Sequence, residues 1–137
     1  VSDPGEIWND VVGQSPAVAR LRSSAAAPVH AYLFVGPPGS TKLETARAFA
    51  SRLITGSEDR DARDARLIAL GEHPDVHEIR RVGASISTDQ AKEIVRIASL
   101  APIESPRKVL VLEEFHLLAP EGAGVLLKTI EEPPEST

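Results

Sequence analysis

The sequence predicts an α/β fold, a parallel sheet carrying helices on both faces. Three observations predict it. Short apolar runs alternate with stretches of helical periodicity; one run passes through a glycine-rich turn directly into a helix; another ends in two adjacent acids. A length of 137 residues suits a single domain. Composition is ordinary for a globular chain, 42% hydrophobic and 26% charged. With one Trp, one Tyr and three Phe, the core has to come from Leu, Val, Ile and Ala.

The elements follow in order. Ser15-Pro16 marks a helix start, serine as cap and proline at the first helical position, with Val18, Leu21 and Ala25 on one face before Pro28. Ala31-Tyr-Leu-Phe-Val35 reads as a buried strand. After the turn at Gly36 to Lys42, a second helix shows Leu43, Ala46, Phe49, Ala50 and Leu53 on one face. The charged stretch 56–70 spaces Asp59 and Arg63, and Arg60 and Asp64, four apart, as on a solvated helix. Asp75 to Ile79 is a second strand. Ser87 and Gln90 form a capping box for a helix burying Ala91, Ile94, Val95 and Ala98 and stopping near Pro102. Lys108 to Leu112 is a third buried strand, and a last helix from Pro120 to Ile130 turns Ala123, Leu126, Leu127 and Ile130 inward. No internal repeat is visible.

A strand, a glycine-rich turn bearing lysine, and a helix make the layout of a P-loop. The loop is Gly36, Pro37, Pro38, Gly39, Ser40, Thr41, Lys42 and Leu43. Gly36 and Lys42 fit the phosphate-binding pattern; Thr41 stands where a second glycine belongs, and Leu43 where a Ser or Thr would hold Mg²⁺. Threonine adds bulk where the backbone must approach phosphate. Leucine offers no oxygen, and Thr45 lies on another helical face. Lys42 and the helix N-terminus retain a weak attraction for ATP or a phosphate-like anion. The plain alternative is a Gly/Pro turn with a surface lysine.

Glu113 and Glu114 end the third strand as a Walker B pair would, the first acid supporting metal and the second orienting water. Glu113 is one methylene longer than the usual aspartate, which displaces its carboxylate from a near-octahedral Mg²⁺ site. A strand simply reaching solvent with two charges is the alternative. Both metal-facing positions are altered together, so no catalytic residue, metal or bound cofactor is expected.

Charge and composition exclude several classes. Fifteen basic against twenty acidic residues give a net charge of −5, which argues against the chain gripping nucleic acid by itself. Without cysteine there is neither a disulfide nor a thiolate metal site. The longest apolar run is about five residues against the roughly 20 of a membrane span, and the first ten residues lack a secretion-signal layout. A cytoplasmic location is expected.

Five segments occur in order: Trp8-Asn-Asp-Val-Val-Gly-Gln14, His30-Ala-Tyr-Leu-Phe-Val-Gly-Pro-Pro-Gly39, His73-Pro-Asp-Val76, Ile86-Ser-Thr-Asp-Gln90 and Leu126-Leu-Lys-Thr-Ile-Glu-Glu-Pro-Pro134. Together they resemble the AAA+ module of the bacterial clamp-loader delta-prime family of DNA polymerase III, with gamma/tau as nearest relative. The resemblance implies a three-layer P-loop NTPase core, partial over 1–137 and incomplete at its C-terminal end. It also implies a replication role in loading a sliding clamp onto primed DNA beside gamma/tau and delta subunits, without hydrolysis, and Val12 and Gly13 beside the adenine pocket. An active ATPase of gamma/tau type and an unrelated P-loop signalling or repair protein stay open as alternatives. The family's four-cysteine zinc module is not carried over, and His30, His73, His77 and His116 read as ordinary polar or packing residues. The family's later strands, sensor residues and interface arginine would follow Thr137. A fragment is therefore expected, one that swaps elements or self-associates to cover open strand edges.

Overall fold

The computed structural model describes residues 5–137 and divides into two compact units, Val1–His73 and Pro74–Thr137. In the first, a 3₁₀ turn at Ile7–Asp10 precedes α1 (Ser15–Ser24), α2 (Lys42–Thr55) and α3 (Arg63–Ala69). In the second, β1 (Val76–Ile79), α4 (Thr88–Ser99) and β2 (Val109–Leu112) form a β-α-β unit, followed by a 3₁₀ turn at Phe115–Leu117 and α5 (Pro120–Glu131). The two strands pair in parallel, Val76 opposite Val109 and Ile79 opposite Leu112. The fold is thus α/β with a small parallel sheet. Among the described residues no helix is long and apolar enough to cross a membrane.

Trp8 organises the core of the first unit. It is 1% exposed and packs with Val18, Leu21, Ala48 and Phe49. The predicted strand at residues 31–35 joins no ladder among the described residues. Leu33 and Val35 are 80% and 86% exposed, while Phe34 reaches the Trp8 cluster and the Tyr32 ring meets Phe49 edge-on at 4.8 Å. An apolar run is buried on both faces when neighbouring strands and helices flank it. Lacking a ladder partner, this one shows the alternation of a half-covered strand.

Several helical expectations shift for local reasons. Ser15 is the first residue of α1 and Gln14 precedes it, with no side-chain cap bond. α2 is rotated from its predicted face: Thr45, Ala48, Phe49, Ala50, Ser51 and Ile54 are buried, and Leu43, Ala46 and Leu53 only partly so. α3 begins at Arg63, so Asp59 and Arg60 lie outside it, and Arg63 pairs with its neighbour Asp64 at 2.8 Å.

In the second unit Ile86, Ala91, Ile94 and Leu126 form the core, with Ile79, Leu110 and Leu112 packed on it. β2 is half-buried along its length, having one ladder neighbour among the described residues. Half of the predicted capping box forms. Ser87 Oγ accepts the Gln90 N–H at 3.2 Å, but the Gln90 side chain turns to the Val82 N–H and the Arg80 carbonyl. α5 buries Gly122 and Leu126, leaving Ala123 and Leu127 exposed. A Cβ at Gly122 would meet Leu118 Cδ1 at 3.0 Å and Ala91 Cβ at 3.4 Å, so the missing side chain lets α5 close on α4.

Candidate functional site

The glycine-rich turn lies in the first unit and closes tightly on itself. Ser40 N–H donates to Pro37 O at 3.2 Å, and a Cβ on Gly36 would meet Ser40 Oγ at 2.7 Å. A side chain there would force the Ser40 hydroxyl to turn away. Thr41, the residue in place of the second glycine, sits at φ 57°, ψ 35°, a left-handed conformation that suits glycine and is unusual for a β-branched residue. It is held there by its carbonyl, which accepts the Thr45 N–H at 2.9 Å and the Thr45 hydroxyl at 2.7 Å. Thr45 is buried at 5% exposure, its hydroxyl engaged by the Thr41 carbonyl.

Two hydrogen bonds join this loop to residues 12–14. Thr41 Oγ1 accepts the Val12 N–H at 3.2 Å, and Gln14 Nε2 donates to Ser40 O at 3.2 Å. Lys42 turns back: its ammonium contacts Gly36 O at 2.5 Å, Pro37 O at 3.1 Å and Ser40 Oγ at 3.4 Å. Leu43, partly buried, opens α2 beside it. The bonds from Val12 and Gln14 tie the Val12–Gln14 segment to the loop at Ser40 and Thr41. Gln14 and Thr45 were missed as partners of the loop; their polarity beside the motif was the available signal.

The acidic strand end lies in the second unit. The ladder continues one step past β1 and β2, with Glu113 N–H donating to Ile79 O at 3.0 Å. That register sets Arg80 opposite Glu113 and Arg81 opposite Glu114. Arg80 Nε donates to Glu113 at 2.7 Å, and Arg81 Nε to Glu114. Each acid therefore carries an arginine partner that the sequence reading did not anticipate. The signal was present: two arginines follow one strand and two glutamates the next, and an in-register parallel pair must align them. Glu114 adopts φ 53° and starts the 3₁₀ turn, which redirects it from the strand axis. Exposed ion pairs of this kind contribute roughly 0–1 kcal/mol, so the arginines neutralise the acids without locking them.

A second polar knot holds this unit together. Asp75, fully buried, accepts the N–H groups of Ile103, Glu104 and Ser105 at 2.5, 2.8 and 2.8 Å. Lys108, 3% exposed, donates to the Ile97 and Leu100 carbonyls, covering the otherwise unpaired C-terminal end of α4. Burial pulls the Lys108 ammonium below its ordinary value, with Asp75 opposing. Burial likewise lowers His77, helped by the Lys108 charge and opposed by Asp75. In the first unit, His73 is buried with Nε2 3.3 Å from the Asp64 carboxylate.

Residues 13–137 match the family model described as DNA polymerase III, delta subunit. The chain belongs to this family. Among curated relatives, DNA polymerase III subunit delta' of Bacillus subtilis (strain 168) is 32% identical over 112 residues, covering 79% of this chain and 34% of that protein. Subunit tau of Escherichia coli (strain K12) is 32% identical over 137 residues, covering 95% of this chain and 21% of its own length. Subunit gamma of Buchnera aphidicola subsp. Acyrthosiphon pisum is 33% identical over 138 residues, covering 95% and 38%. The chain thus spans well under half the length of these relatives. Both delta' and tau/gamma subunits are similar to it, as the ordered motifs led one to expect.

Proposed function

We propose that this family member is a delta-prime-type, non-catalytic subunit of the DNA polymerase III clamp loader. Its AAA+ P-loop core, three-layered in the whole protein, works by shape and contact rather than by hydrolysing ATP. Gamma/tau and delta subunits are its neighbours, the sliding clamp and primed DNA are met through the assembled complex, and the setting is cytoplasmic. The observation that carries this reading is Leu43. It stands directly after Lys42, where Mg²⁺ needs a hydroxyl, and supplies no oxygen. Glu113 as the lengthened first acid, already paired with Arg80, adds support.

A gamma/tau-type ATPase is the second reading, favoured by the 92–95% of this chain covered in those relatives. Mg²⁺-dependent turnover separates the two. The full-length protein, assayed alone and with its partner subunits, is expected to show no hydrolysis assignable to this loop. Turnover that a Lys42→Ala substitution abolishes overturns the non-catalytic reading in favour of the second.

A further inference from the structure

We propose that the cavity between α2 and α3 is a binding site for a small organic carboxylate with an apolar body. The cavity lies within the first unit, measures about 380 Å³ and includes no residue of the glycine-rich turn. That volume is at the small end of the roughly 300–1,000 Å³ of ligand sites. The inference goes beyond the clamp-loader reading and does not rest on it. Its deciding observation is on the cavity floor. Ser51 of α2 lines the cavity at 2% exposure, and its hydroxyl finds no hydrogen-bond partner among the described residues. Other helical hydroxyls of the chain donate to the carbonyl four residues back: Thr45 to Thr41 O, Thr55 to Ser51 O and Ser99 to Val95 O. Ser51 makes no such bond. A buried polar group left unpaired is costly, so one kept on a cavity floor points to a partner that arrives from outside. Beside it Ala48 and Ala65, 4% and 3% exposed, leave apolar space between the two helices. The mouth bears three arginines, Arg47, Arg60 and Arg66, among three acids, Asp10, Glu44 and Asp61. Guanidinium forks match a carboxylate in two parallel bonds, and the balanced charge around them suits a monoanion better than a phosphate dianion. Arg47 reaches across the gap, Nη1 to Ala69 O at 3.5 Å, which brings its charge over the cavity. Arg47 and Ser51 are four apart on α2 and therefore neighbours on one face, so one carboxylate can meet both while its apolar body covers Ala48 and Ala65.

The test is ligand-observed fluorine NMR on the full-length protein, with para-fluorobenzoate as probe and para-fluorobenzylamine as its cationic counterpart. Wild type is expected to bind the carboxylate with a Kd on the order of 1 mM or tighter, and the amine about tenfold or more weakly. Ser51→Ala gives the readout that a merely structural serine would not. It is expected to weaken the carboxylate about two- to tenfold and yet raise the urea midpoint, because alanine removes an unpaired polar atom and favours the helix. Arg66→Ala, at an exposed position of α3, is expected to weaken the carboxylate about tenfold. Ala69→Leu fills the mouth from the exposed end of α3 and is expected to abolish binding with the urea midpoint unchanged. Absence of carboxylate binding by wild type at about 10 mM overturns the proposal, as does equal binding of the two probes. Binding that Ser51→Ala, Arg66→Ala and Ala69→Leu all leave untouched overturns it too, and so does a Ser51→Ala midpoint below that of wild type.

Discussion

At the residue scale, the chain places charge where its environment changes what that charge does. His77 shows this most directly. Burial and the nearby Lys108 ammonium lower its proton affinity, with Asp75 opposing. Between the lowered native value and the ordinary imidazole value, the unfolded chain holds a proton that the folded chain does not. Stability therefore rises with pH across that window, and the penalty is complete below it. Replacing His77 with Gln is expected to flatten the dependence, read as urea midpoints at several pH values through the imidazole range. An unchanged slope would assign the acid sensitivity to other groups. Lys108 follows the same sign at the alkaline end, its burial penalty fading as pH rises towards the ordinary lysine value. The sequence had marked none of this, because burial of a lysine or aspartate depends on which carbonyls and amides surround it.

At the element scale, helical periodicity located α5 but set its inward face slightly wrong. Leu126 and Leu127 are both leucines in the predicted apolar stripe; in the fold Leu126 is fully buried and Leu127 is 56% exposed. Leu126→Ala is expected to cost about 2–5 kcal/mol in denaturant unfolding, as for other buried leucines. Leu127→Ala is expected to stay within about 0.5 kcal/mol, as for ordinary surface changes. Equal losses would contradict the observed rotation. Gly122 explains the shift: without a side chain it admits Leu118 and Ala91, and that close approach turns the helix. A pattern of apolar letters does not report such a contact. The same holds for Gln90, whose spacing from Ser87 announced a cap but whose side chain found the Arg80 carbonyl and Val82 amide instead.

At the scale of the whole molecule, charge and composition speak to partners. A net charge of −5 gives little phosphate affinity, so the chain by itself is expected to leave primed DNA unbound at physiological salt in a fluorescence-anisotropy titration. Submicromolar, salt-sensitive binding would overturn that expectation and locate a basic surface within the chain. The sequence alone determined the α/β class, the order of helices, the two strands of the second unit and the chemistry missing at Leu43, because each depends on local periodicity or on which atoms a side chain possesses. Tertiary structure decided that residues 31–35 join no ladder among the described residues, that Arg80 and Arg81 face Glu113 and Glu114, and that Thr41 meets Val12. Those outcomes depend on partners distant in sequence, and only the folded backbone brings them within a hydrogen bond's reach.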